Sequence, residues 1–155
     1  EPIAVSGNRL RELDSHLLLA FTGISRTASV VATKKIIQIP NRSNELNSMT
    51  KLCEEATDTL VSSKNIEEFG KMLDQQWQLK KSLAKEVTNP VIDDIYDVAM
   101  KAGAIGGKLL GAGGGGFILF FAKPEYHSRI KSKLSNLLFV PFQFENLGSQ
   151  IVYFS

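Results

Sequence analysis

The chain has 155 residues, of which 43% are hydrophobic and 22% charged, and its formal net charge is +2. This composition excludes a disordered polar tail, because a chain of about 150 residues with so many apolar side chains can build one core. The longest apolar runs, Leu17–Phe21 and Phe117–Ala122, fall far short of the roughly 20 residues that cross a membrane. The basic residues are spread along the chain, so we expect neither a membrane nor a nucleic acid as partner.

Cysteine and histidine usage points away from disulfides and metals. Cys53 is the only cysteine and falls on an apolar helical stripe, so we expect it in the core of a cytoplasmic protein. His16 and His127 are far apart without ligand-type neighbours, and no metal site is predicted. The chain starts at Glu1 without a methionine or a leader, so we expect it to be part of a longer protein.

The first half of the chain predicts one strand and several helices. Residues 17–24 form an apolar run that predicts a buried strand, and the spacing of apolar residues over 28–36 favours a helix that ends before Pro40. Three amphipathic helices follow. Their signals are the apolar stripe Met49, Leu52, Cys53, Ala56 and Leu60; the start at Asn65 with Glu68 three residues later and the stripe Ile66, Phe69, Leu73 and Trp77; and the cap Asn89-Pro90 with a stop at Gly103.

The second half predicts sheet. Leu109-Leu110 and residues 117–122 suggest two strands around a glycine run, Pro124 opens a helix, and residues 142–145 and 151–154 suggest two further strands. That helix should carry Ile130, Leu134, Leu137 and Leu138. The element order predicts an α+β domain of the ferredoxin-like, split βαβ type, with extra helices inserted in the first crossover.

The run from Gly111 to Gly116 is the least ordinary stretch. Consecutive glycines are entropically costly and are used where the backbone needs positive φ or approaches another group closely, so we favour a ligand-facing loop over a purely structural turn. Gly111, Gly113 and Gly116 match G-x-G-x-x-G, but a strand follows them rather than a helix, and no Gly-Lys-Ser/Thr is present. The two common nucleotide-binding motifs are therefore excluded.

The stretch Gly106-Gly107-Lys108-Leu109-Leu110-Gly111-Ala112-Gly113-Gly114-Gly115-Gly116-Phe117 resembles the third motif of the GHMP kinases, named for galactose, homoserine, mevalonate and phosphomevalonate kinases. Phe21-Thr22-Gly23-Ile24-Ser25-Arg26 and the segment 142–148 are similar to the branch that contains D-glycero-D-manno-heptose 7-phosphate kinase. The resemblance covers nearly the whole chain. It implies the C-terminal domain, residues 1–155, of a sugar or sugar-phosphate kinase whose N-terminal, ATP-loop domain lies outside it.

The resemblance also implies a division of labour. ATP and Mg²⁺ would be bound mainly by the N-terminal domain, which is the expected partner, and no residue of this chain is expected to be catalytic. Gly111, Gly113, Gly114, Gly115 and Gly116 would approach the phosphates or support the loop that does. Thr22, Ser25 and Arg26 would contact the sugar or sugar phosphate. Arg26 would bind a phosphate, since a guanidinium suits paired phosphate oxygens.

Several alternatives stay open from the residues alone. Thr22 and Ser25 either bind sugar hydroxyls or close a turn, Arg26 is otherwise a surface arginine, and for Lys108 we favour a structural position. A ferredoxin-like module that binds a small anion without catalysis is a second candidate function. An RNA-binding sheet is disfavoured, because paired exposed aromatic residues are not evident.

Overall fold

The computed structural model describes residues 3–25, 32–33, 36–37 and 39–144. Within these ranges the main helices are α1 (Gly7–His16), α2 (Ser43–Val61), α3 (Glu67–Leu83), α4 (Pro90–Ala102) and α5 (Pro124–Lys133). The strands are β1 (Leu17–Phe21), β2 (Ala104–Leu109), β3 (Phe117–Ala122) and β4 (Leu138–Val140), and short 3₁₀ turns lie at Ile39–Asn41 and Lys85–Val87. No helix in these ranges has the length and apolar character that crossing a membrane would demand.

The four strands form one sheet in the order β2-β3-β1-β4. Every neighbouring pair is antiparallel, so β1 and β2 run in the same direction with β3 between them. This is the split βαβ arrangement, and α2, α3 and α4 all lie in the crossover from β1 to β2. The α+β, ferredoxin-like fold with extra helices in its first crossover is therefore confirmed.

Alternation along the strands gives the sheet two apolar faces. Leu18, Ala20, Ile118 and Phe120 belong to the larger core, which also includes residues of α4 and α5. Leu17 and Phe121 lie on the opposite face in a second cluster with Leu13, Ile66 and Leu73. The predicted core position of Trp77 is confirmed, because its side chain is fully buried.

The best-predicted helix is α4. Its N-cap Asn89 accepts a hydrogen bond from the N–H of Ile92 at 3.1 Å, and Gly103 ends it with a φ of 115°. The capping box predicted at Asn65 is incomplete, because Asn65 Oδ1 accepts from Glu67 N at 3.0 Å while Glu68 pairs with Lys71.

Several expectations were wrong. Helix α1 was not predicted, because only Leu10 and Leu13 interrupt its polar sequence. Helix α5 ends at Lys133, and Leu138 begins β4 before Pro141, whereas residues 142–144 are not a strand. A proline cannot donate to a sheet, which favours a strand that stops before it. Cys53 is exposed rather than in the core.

Two predicted elements fall mainly on residues that the structure does not describe. The strand at 151–154 lies wholly outside the described residues. Of the predicted helix at 28–36, residues 32–33 and 36 are described, and they are helical.

Helix α3 packs unusually closely on β2 through two glycines. A Cβ added to Gly106 would lie 2.0 Å from the carbonyl oxygen of Gly70, and one added to Gly70 would lie 2.5 Å from the ring of Phe121 on the adjacent strand β3. No side chain fits between the two backbones. This contact fixes the position of α3, and with it Lys80, relative to the loop that follows β2.

Candidate functional site

Two segments meet where β1 ends and β3 begins: the turn after β1, residues 22–25, and the loop 111–116, called here the glycine loop. The backbone N–H and the hydroxyl of Thr22 both donate to Gly116 O, at 2.9 and 2.8 Å, and Gly116 N donates to Ile24 O at 2.9 Å. The Thr22 hydroxyl also accepts from Ile24 N at 3.3 Å and is buried. These contacts place Thr22 as a residue that joins the turn to the glycine loop.

The other side of the glycine loop is held by the segment before α4. Gly114 N donates to Val87 O at 2.7 Å, and the side-chain amide of Asn89 donates to Gly114 O at 3.2 Å. Asn89 therefore caps α4 with its oxygen and holds the loop with its nitrogen. Bonds on both sides make the loop an ordered structure rather than a slack linker.

The dual role of Asn89 gives a first prediction. Asn89→Ala and Asn65→Ala should each lower the free energy of unfolding by about 1 kcal/mol, because each removes a helix-capping side chain. Only Asn89→Ala should also loosen the glycine loop, seen as faster hydrogen exchange at the Gly114 amide. Equal exchange in the two variants would contradict a role of Asn89 in holding the loop.

The backbone of the glycine loop explains its composition. Gly111, Gly113, Gly114 and Gly116 have φ values of 64°, 116°, 72° and 94°, in the region that side chains disfavour. Gly115 is required by proximity instead, because a Cβ there would lie 2.6 Å from Ile24 O. Positive φ and close approach, the two reasons inferred from the sequence, thus both occur in one loop.

The turn and the glycine loop enclose a cavity of about 350 Å³. Its walls include Phe21, Ile24, Leu110 and Phe117, and its polar part comes from Ser25 and the loop backbone. The structure therefore brings together Ser25 and four predicted glycines, Gly111, Gly113, Gly115 and Gly116, while Gly114 supports the loop through Val87 and Asn89.

The cavity has the donors that an anion needs. Among the described residues, no acceptor is found for the N–H groups of Gly111, Ala112 and Gly115. None of the described residues that line the cavity is acidic. Backbone N–H groups in a glycine-rich turn form concave sites for anionic oxygens, so the cavity suits a phosphate or another small anion.

A lysine that the sequence reasoning missed lies directly against the glycine loop. Lys80 is 7% exposed, and its ammonium donates to Leu109 O at 2.7 Å and Gly111 O at 2.8 Å. It follows Leu73 and Trp77 on the apolar stripe of α3. A lysine at an inward-facing position of an amphipathic helix is the signal that could have identified it.

The remaining candidates lie elsewhere. Arg26 is outside the described residues. Lys108 bonds to the side chain of Gln76 and lines a different cavity between α2 and α3, and burial lowers the pKa of its ammonium. His16 and His127 each pair with a backbone carbonyl, and the described part of the chain has no cluster of three metal-ligating side chains.

Larger clefts exist on the surface, including one of about 450 Å³ beside His127 and Lys131 and one of about 550 Å³ beside Arg42 and Lys85. Neither contains a residue of the turn or of the glycine loop. We assign the candidate site by the residues that line it and by their backbone donors, not by its volume.

The model of the GHMP kinases C terminal family matches residues 49–138, more than half of the chain. The chain belongs to the GHMP kinases. The matched region runs from α2 to the start of β4 and includes the whole glycine loop.

Curated relatives include sugar and sugar-phosphate kinases. A bifunctional fucokinase/GDP-fucose pyrophosphorylase of Arabidopsis thaliana is 32% identical over 126 residues, 79% of this chain and 12% of that protein. A D-glycero-alpha-D-manno-heptose 7-phosphate kinase of Campylobacter jejuni is 29% identical over 126 residues, 79% of this chain and 37% of its own length. The chain thus spans well under half of these relatives.

Solved structures share the fold. The mevalonate kinase of Methanococcus jannaschii superposes with a TM-score of 0.70 at 23% identity, covering 88% of this chain and 42% of that one. A D-glycero-D-manno-heptose 1-phosphate kinase from Bacteroides thetaiotaomicron gives 0.63 at 23% identity, covering 93% and 37%. At this identity the likeness concerns the fold alone.

Proposed function

We propose that this chain is the acceptor-side, C-terminal domain of an ATP-dependent kinase that phosphorylates a sugar phosphate, with D-glycero-D-manno-heptose 7-phosphate as the acceptor. The observation that carries the proposal is the cavity between the turn and the glycine loop, which is lined by Ser25, by the backbone of the glycine loop and by apolar side chains. Membership of the GHMP kinases and the heptose 7-phosphate kinase of Campylobacter jejuni support it.

The proposed roles follow from the chemistry of phosphoryl transfer, which depends on positioning and on charge stabilisation. The glycine loop would donate N–H groups to phosphoryl oxygens as their charge grows in the transition state. Ser25 and Arg26 would orient the acceptor, and Thr22 would hold the turn that carries them. Arg26→Ala, measured against phosphorylated and unphosphorylated acceptors, tests the proposed contact with a phosphate.

ATP and Mg²⁺ belong, in this proposal, mainly to the part of the parent protein outside this chain. Within the described part of the chain, the cavity is lined by backbone donors and by no carboxylate for a metal ion, so it fits the phosphate of a nucleotide better than its Mg²⁺. The remaining kinase domain is the expected partner, and we expect the protein in the cytoplasm, where ATP is available.

L-Fucose is the second candidate acceptor, because two of the curated relatives are fucokinases at 32% identity. The heptose carries a phosphate that Arg26 would bind, whereas L-fucose carries none, so the proposed contact of Arg26 with a phosphate applies to the heptose alone. A non-catalytic anion-binding module would use the same cavity without transferring a phosphoryl group.

The decisive experiment uses the full-length protein with ATP, Mg²⁺ and a panel of heptose 7-phosphate, L-fucose and mevalonate. We expect kcat/KM for the heptose 7-phosphate to exceed the others by at least about tenfold, since a site built for a charged group rejects analogues that lack it. Preference for L-fucose would replace the proposed acceptor. Binding of phosphate without turnover on any acceptor would favour the module.

A further inference from the structure

We propose that Lys80 is a positioning residue for the transferred phosphoryl group: its buried ammonium holds two carbonyls at the start of the glycine loop and so orients the N–H groups of that loop. This inference rests on the proposed function and adds a residue to its machinery. Lys80 touches the loop backbone and not the cavity, so it acts through the loop.

The burial of Lys80 needs an explanation. An ammonium withdrawn from water is destabilising unless its donors are satisfied, and an apolar side chain at such a position is often as stable or more so. Lys80 follows Leu73 and Trp77 on the inward face of α3, where a methionine or leucine would continue the stripe. What the lysine adds is a pair of strong bonds to Leu109 O and Gly111 O.

These two bonds determine the course of the backbone where β2 ends and the loop begins. Leu109 is the last residue of β2, and Gly111 is the first glycine of the loop with positive φ. In a trans peptide the N–H points opposite to the carbonyl of the same unit. Because Gly111 O points to Lys80, the N–H of Ala112 points away from Lys80, and Ala112 lines the cavity.

The charge of Lys80 strengthens the same donor. A hydrogen bond from an ammonium to a carbonyl polarises the peptide unit, and the effect is larger in a medium of low dielectric constant. The bond to Gly111 O therefore makes the Ala112 N–H a better donor to an anionic oxygen. The positive charge beneath the loop also favours negative charge in the cavity above it.

The neighbouring lysine provides a matched control. Lys81 lies on the same turn of α3, with its nitrogen 3.6 Å from Asp93 and 5.7 Å from the Trp77 ring centre. It lines the cleft beside Arg42 and is 27% exposed as a side chain. Lys80 and Lys81 thus share a helix and a contact with Trp77, and differ in the bonds to the glycine loop.

The test compares Lys80→Met with Lys81→Met in the full-length protein. Lys80→Met should lower kcat by at least about tenfold and change KM for the acceptor by less than about threefold, because the lost interaction acts in the transition state. Lys80→Arg keeps the charge and the donors and should recover part of kcat. Lys81→Met should leave both constants within about threefold of the wild type.

Hydrogen exchange gives a readout that does not depend on turnover. The hydrogen-bonded amides of Gly114 and Gly116 should exchange at least about tenfold faster in Lys80→Met than in Lys81→Met, because loop opening is less costly without the two bonds. Unchanged kcat and exchange in Lys80→Met would overturn the inference, as would a loss of stability with kcat unaltered. If Lys80→Met does not fold, Lys80→Gln, a polar and uncharged replacement, has the same two expectations.

The two proposals can fail separately. If the wild-type protein phosphorylates no acceptor, the proposed function fails, and the exchange comparison still decides whether Lys80 orders the loop. If the wild type is active and both lysine variants match it, the function stands and the role of Lys80 is refuted.

Discussion

Gly106→Ala should lower the free energy of unfolding by at least about 3 kcal/mol, the upper part of the range for overpacked sites. The added Cβ would lie 2.0 Å from Gly70 O and 3.0 Å from Asp74 N, both of which are backbone atoms of α3. A flexible side chain could rotate away from the new methyl group, but a helix backbone must move as a whole. Chemical denaturation of the variant and the wild type measures the difference.

A second glycine supplies the control. Among the described residues, a Cβ at Gly7, in the first turn of α1, would have only the end of the Arg11 side chain within 4 Å, at 3.6 Å. Because alanine favours helix relative to glycine, Gly7→Ala should change stability by no more than about 1 kcal/mol and in the stabilising direction. A loss below about 1 kcal/mol in Gly106→Ala would show that α3 can shift from β2 without strain.

How well the sequence predicts each element depends on where its signal lies. Helix α4 has a complete local signal, from Asn89 to Gly103, and its bounds agree with the prediction. Strand β2 begins at Ala104, well before the predicted Leu109-Leu110. The prediction missed this start because Gly106 and Gly107, taken alone, are typical of turns. In the fold both glycines pair with β3, and they face close neighbours, Gly70 on α3 for Gly106 and Leu119 with Phe120 on β3 for Gly107. These tertiary contacts cannot be inferred from a local pattern.

The candidate site, too, could be predicted from the sequence only in part. The need for positive φ in the glycine loop could be inferred from the glycines themselves, and four of them adopt it. The partners Val87, Asn89 and Lys80 could not be assigned, because they are more than 20 residues away in sequence and come close only in the folded chain. The position of Lys80 on an apolar helical stripe is unusual, but it does not indicate which carbonyls the ammonium contacts.

Gly115→Ala should reduce kcat/KM of the full-length protein for its acceptor by at least about tenfold, equivalent to about 1.4 kcal/mol of transition-state stabilisation. The new Cβ would lie 2.6 Å from Ile24 O and 2.9 Å from Ile24 Cγ2, so the glycine loop and the turn after β1 must separate. Ile24 O is also the acceptor for Gly116 N, and this bond would lengthen. Ser25 would then move away from the loop residues that line the cavity with it.

The matched control is Asn65→Ala, which weakens a helix start outside the turn and the glycine loop. Asn65→Ala should lower the free energy of unfolding by about 1 kcal/mol, yet its kcat/KM should stay within about twofold of the wild type. Steady-state kinetics with the preferred acceptor, at a temperature where all three proteins are folded, separates lost stability from a displaced site. Wild-type kcat/KM in Gly115→Ala would mean that the spacing between the turn and the glycine loop does not matter for transfer, and the acceptor site would have to lie elsewhere.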